Sequence, residues 1–111
     1  MKRHTVQSAK AIDQLPGIVR RTLAYNEEVM LCHFNMKAGA QIPLHNHRAS
    51  QVGYIISGKA RFIGKQDSDA FEVSAGDSYL FDPHVHHGAE IIEDAELIEV
   101  FTPSREEYRD D

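Results

Sequence analysis

Turn signals punctuate this chain too often for long helices to develop. Pro16-Gly17, Asn26-Glu27, Ala38-Gly39, Ser57-Gly58, Gln66-Asp67-Ser68-Asp69, Ala75-Gly76, Asp82-Pro83, Glu93-Asp94 and Thr102-Pro103 follow one another along 111 residues. Between them lie runs rich in β-branched, aromatic and other apolar residues, at 18–25, 28–36, 51–57, 60–65, 70–74, 78–81, 88–92 and 95–101. Short strands separated by glycine and proline turns pack as a sandwich or a barrel. Helical hints are confined to a turn around 8–13 and to the C-terminus, where Ser104 and Glu107 have capping-box spacing. The expectation is one all-β domain over 1–111, long enough to build a core without staples.

Within that frame the histidines are unevenly placed. His45 and His47 are two apart, so on a strand their rings share a face, roughly 7 Å apart along the backbone. Gln51 follows four residues later, Gly39 and Gly58 bracket the segment, and His87-Gly88 closes a second block that begins at Gly76-Asp77. Ligands supplied by two distant segments have to be gathered by a tertiary fold, so the pattern concerns architecture and chemistry together. A cluster of imidazoles and an amide inside a small barrel is costly unless it binds something. Neutral nitrogen and oxygen ligands with open positions suit one divalent transition metal, Ni, Fe, Zn, Co or Mn.

These two blocks resemble the motifs of the cupin superfamily. The first motif reads Gly39, five residues, His45-Asn46-His47, three residues, Gln51, six residues, Gly58; the second runs from Gly76-Asp77 through Pro83 to His87-Gly88. The resemblance implies a jelly-roll β-barrel, the double-stranded β-helix, with His45, His47, Gln51 and His87 as metal ligands. Gln51 stands where most cupins carry glutamate. Among cupins the chain is similar to the small KdgF-type proteins of pectin and alginate degradation, which use a glutamine at this place. That subfamily also carries an acidic residue, a phenylalanine two positions on and an arginine four further, matched here by Glu99, Phe101 and Arg105. Glutamate at 99 replaces the family's aspartate and would move the carboxylate by about an ångström, which matters for proton transfer.

Composition by itself favours a different reading of those last residues, a surface carboxylate and a solvated arginine, since both types are seldom buried. The resemblance implies instead that Glu99 moves a proton, Phe101 walls a sugar ring and Arg105 holds a carboxylate. It implies an enzyme acting on a 4,5-unsaturated uronate. A metal-dependent dioxygenase and a non-catalytic sugar- or acid-binding cupin are the alternatives.

Parity along the strand from Gln51 puts Gly53, Ile55 and Ser57 inside and Val52, Tyr54 and Ile56 outside. Three outward apolar side chains need a cover, either the N-terminal segment or a second copy, and a homodimer is expected. His33 reads as a half-buried strand residue, His84 as a residue of the barrel mouth or of solvent, His86 as facing away from His87, and Cys32 as core. A net charge of −5 with no basic run longer than Arg20-Arg21 excludes nucleic acid as a main partner. No run of 18 apolar residues exists to span a membrane, the N-terminus turns polar at once, and one cysteine forms no internal disulfide. A small-molecule substrate and a cytoplasmic setting are expected.

Overall fold

The computed structural model describes residues 1–109. Eight strands follow one another: β1 (Ala11–Leu15), β2 (Ile18–Tyr25), β3 (Met30–Met36), β4 (Gln41–His45), β5 (Ser50–Ile63), β6 (Phe71–Ser74), β7 (Ser78–Phe81) and β8 (His87–Thr102). Two short 3₁₀ turns, Asp67–Asp69 and Glu106–Tyr108, are the helical elements among the described residues. Among the described residues, no helix is long and apolar enough to cross a membrane.

Two long strands, β5 and β8, organise everything else. The first half of β5 pairs with β7 and its second half with β6. The first half of β8 pairs with β4 and its second half with β3, which continues through β2 to β1. The two long strands also pair with each other along their length, from Ser50↔Thr102 to Ile63↔Gly88. Each strand thus passes from one sheet into the other, and the inward faces close around a common core. This is the jelly-roll arrangement expected of a cupin. Ile55, Leu97, Phe62, Phe34, Met30 and Ile18 are among its buried apolar residues.

Two expected turns proved to be bends inside strands. Ser57-Gly58 and Glu93-Asp94 do not end strands; they face each other where the pairing of β5 with β8 shifts register. Gly58 has φ +88°, and a Cβ there would lie 2.1 Å from the Asp94 carbonyl oxygen. A left-handed glycine serves a bulge as well as a hairpin, so residue type could not distinguish them. The same bend leaves Ser57 exposed instead of inside. The helical turn expected over 8–13 gives way to a turn at 6–8 followed by β1. Near the C-terminus the expected capping box is absent: Arg105 is the N-cap, without a side-chain cap, and Ser104 Oγ accepts from Arg109 Nε instead. Val52, Tyr54 and Ile56 do point outward, each more than two-fifths exposed, so the N-terminal segment does not cover them.

Candidate functional site

The three expected histidines meet at one end of the barrel. His45 is the last residue of β4 and lies opposite His87, the first of β8. His47 sits past the end of β4, where the chain turns toward β5. Their ring centroids are 4.4 to 5.7 Å apart, and one ligand atom from each falls within 4.8 Å of the others. Each ring is fixed by a backbone carbonyl two residues away. His45 Nδ1 bonds Pro43 O at 2.8 Å, His47 Nδ1 bonds Ala49 O at 2.8 Å, and His87 Nδ1 bonds Val85 O at 2.9 Å. A carbonyl only accepts, so Nδ1 carries the proton and Nε2 of each neutral ring keeps its lone pair.

Gln51, the second residue of β5, is oriented by the same reasoning. Its Nε2 donates to Glu99 Oε2 at 2.6 Å, and its Oε1 therefore faces His47 Nε2 at 2.9 Å. Two lone-pair atoms pointed at each other across that distance call for a cation. Protonating His47 is disfavoured, because burial and the Arg105 charge hold its pKa below the ordinary histidine value. His87 Nε2 is buried with no hydrogen-bond partner, and burial pushes this ring's pKa down to about 4. The donor set fits a borderline divalent metal held by three imidazoles and one amide oxygen.

Glu99 is 5% exposed, so the surface reading that composition favours does not hold. It lies on β8 beside Gly53 of β5, which in turn lies beside Tyr79 of β7. Tyr79 Oη donates to Glu99 Oε2 at 2.5 Å, across the glycine. Burial raises the Glu99 pKa, against the opposing pull of the Tyr79 and Gln51 hydrogen bonds and the Arg105 charge. Burial, with the Glu99 carboxylate as a lesser cause, holds the Tyr79 phenol well above its ordinary value, so it donates without ionising.

Phe101 is buried two residues beyond Glu99, with its ring 6.0 Å from that of His47. Arg105 follows the Pro103 turn, and its guanidinium lies 5.3 Å from the Phe101 ring centroid and 4.2 Å from that of Tyr108. Arg105 Nε donates to Glu107 at 2.8 Å. Its two terminal nitrogens make no hydrogen bond among the described residues. A cavity of about 290 Å³ joins His45, His87, Gln51, Glu99, Phe101 and Arg105. Ligand pockets run from roughly 300 to 1,000 Å³, so this one suits a monomeric ligand better than a chain.

The remaining histidines lie apart. His33 is fully buried rather than half-buried, bonded to Glu96 at 2.7 Å. His84 is exposed with φ +66°, and its N–H holds the His47 carbonyl at 2.8 Å. His86 Nε2 faces Asn46 Nδ2 at 3.2 Å. Sequence reasoning missed Tyr79 and Tyr108, both on the cavity. The available signal for Tyr79 was Gly53, a glycine inside a strand, which marks the close approach of another group.

Comparison with known proteins agrees with this fold. A family model described as Cupin domain matches residues 32–101. An RmlC-like cupin from Shewanella frigidimarina superposes with a TM-score of 0.89 at 31% identity, over 98% of this chain and 96% of that one. KdgF from Halomonas sp. gives 0.89 at 25% identity, over 98% and 99%. The polyketide cyclase RemF from Streptomyces resistomycificus shares the fold, with 0.80 at 20% identity over 96% and 82%. No curated protein matches the chain significantly.

Proposed function

The chain belongs to the cupin family, and we propose that it is an enzyme converting 4,5-unsaturated uronate monomers to linear 5-keto-4-deoxyuronate. The observation that carries this reading is one cavity lined by His45 and His87 of the three-histidine cluster, a buried carboxyl and an arginine whose terminal nitrogens have no hydrogen-bond partner among the described residues. Likeness to the Halomonas KdgF over nearly the whole of both chains supports it.

The reaction is an isomerisation. The C1 hydroxyl loses its proton as the bond from C1 to the ring oxygen breaks, and the resulting enolate gains that proton at C4. One group able to accept and then return a proton is enough, and no second reactant enters. A metal held by His45, His47, Gln51 and His87 would supply Lewis-acid stabilisation of developing oxygen charge. Glu99 is suited to proton transfer because its raised pKa brings a carboxyl closer to neutral pH. Arg105 can present both terminal nitrogens to the uronate carboxylate, a planar fork that lysine lacks. Phe101 forms an apolar wall beside Arg105. The proposal includes a homodimer built on the outward face of Val52, Tyr54 and Ile56, in a cytoplasmic setting.

The test is metal-loaded protein with freshly lyase-generated unsaturated galacturonate. The absorbance of the unsaturated uronate should disappear faster than spontaneously, with no oxygen consumed. Oxygen uptake by the iron-loaded protein would favour a dioxygenase, and binding without turnover a sugar- or acid-binding cupin.

A further inference from the structure

We propose that Tyr79 is the positioning residue of the Glu99 carboxyl, reaching it through a gap that Gly53 leaves in strand β5. The inference rests on the uronate reading for its kinetic arm, and on geometry alone for the rest.

Tyr79, Gly53 and Glu99 form one row across three strands, β7, β5 and β8. On an inward face, side chains two strands apart do not normally touch, because the residue between them fills the space. Here that residue has no side chain. A Cβ at Gly53 would lie 2.0 Å from Tyr79 Cζ and 2.2 Å from Tyr79 Oη. The tyrosine therefore lies over the glycine, and its hydroxyl ends on Glu99 Oε2. The neighbouring row, Phe81, Gln51 and Phe101, keeps its middle side chain, and Gln51 fills the space itself. The tyrosine makes no other side-chain hydrogen bond among the described residues.

Oε2 thus receives two donors, Tyr79 Oη and Gln51 Nε2. Oε1 receives none among the described residues and is not sealed from solvent, so it is the oxygen open to the cavity. A carboxyl clamped through one oxygen has its rotation stopped. The free oxygen then faces one direction, which is what transfer between two substrate atoms requires. Tyr79 also lines the cavity, but its hydroxyl is spent on Glu99, and it acts through that carboxyl.

The experiment is Tyr79→Phe, which keeps the ring over Gly53 and removes only the hydroxyl. With the unsaturated uronate, kcat should fall by roughly 10- to 100-fold while KM and metal content stay at wild-type values. In a Glu99→Gln background the same change should have little further effect, because the clamp then holds nothing that transfers a proton. A structural role would lower activity in both backgrounds alike. A crystal structure of Tyr79→Phe gives the readout independent of activity: the Glu99 carboxyl should rotate from its present position. Glu99 unmoved, or Tyr79→Phe turning over at the wild-type rate, overturns the proposal. Wild-type protein inert toward the uronate would sink the functional reading while the crystal structure still decides the role of Tyr79.

Discussion

Changing Gln51 to glutamate should make the metal-free protein take up a proton. In the wild type, Gln51 Nε2 lies 2.6 Å from Glu99 Oε2. The Gln51→Glu change would put a second carboxylate oxygen there. Two unit charges at that separation repel by about 6 kcal/mol with an effective dielectric near 20. Protonation is the escape. Holding a proton at pH 7 on a carboxyl of ordinary pKa near 4.3 costs about 4 kcal/mol, so it is the smaller penalty and wins. The proton resides between the carboxyls or on His47, whose Nε2 is 2.9 Å from the position-51 oxygen. These groups titrate as one unit, so the prediction concerns the count of one proton and not its address.

The sign follows from a pKa raised in the folded state. Below about pH 4 the unfolded carboxyls are protonated too, and Gln51→Glu should match the wild type. As pH rises toward the folded pKa, the variant should lose about 1.4 kcal/mol per pH unit relative to the wild type. Chemical denaturation of both metal-stripped proteins from pH 5 to pH 8 measures this. The double variant Gln51→Glu with Glu99→Gln reverses amide and carboxylate and should remove the difference. Parallel stability curves for wild type and single variant would refute the reasoning.

Other outcomes follow from the same geometry. His47→Ala should strip the metal without unfolding the barrel, as metal analysis beside a thermal melt would show; full occupancy would remove His47 from the ligand set. Glu99→Gln should lower turnover by roughly 10²–10⁴-fold with metal retained, and Arg105→Lys should raise KM more than it lowers kcat. Tyr54→Asp should shift the protein toward monomer or aggregate in light scattering, whereas a monomeric wild type at high concentration would count against the dimer. Cys32, buried with its thiol pushed up to about 11, should resist alkylation at pH 8 until the protein is denatured.

The strands and the histidine cluster were legible because each is written locally: alternation and turn residues for the strands, spacing and bracketing glycines for the histidines. The long bent strands were not, because Gly58 at positive φ carries the same residue signal whether the chain reverses or bulges. Glu99 shows the other limit. Its flanking acidic residues, Glu93, Asp94 and Glu96, read as a solvated stretch. What buries it comes from Gln51, 48 positions away, and Tyr79, 20 positions away, and no local pattern encodes those partners. Only the resemblance pointed inward.

The shared strands also set an order of events. Gln51 lies opposite Phe101 and His45 opposite His87, contacts between residues about 40 to 50 positions apart. Closing loops of that length is slow, and sheet proteins dominated by such pairings fold slowly. The four candidate ligands converge only once β8 has joined both β4 and β5. A metal added during refolding should therefore leave the rate of folding unchanged and slow only unfolding. Assembly of the centre becomes a late event that locks the finished barrel, and ion capture is thermodynamically a property of the native state alone.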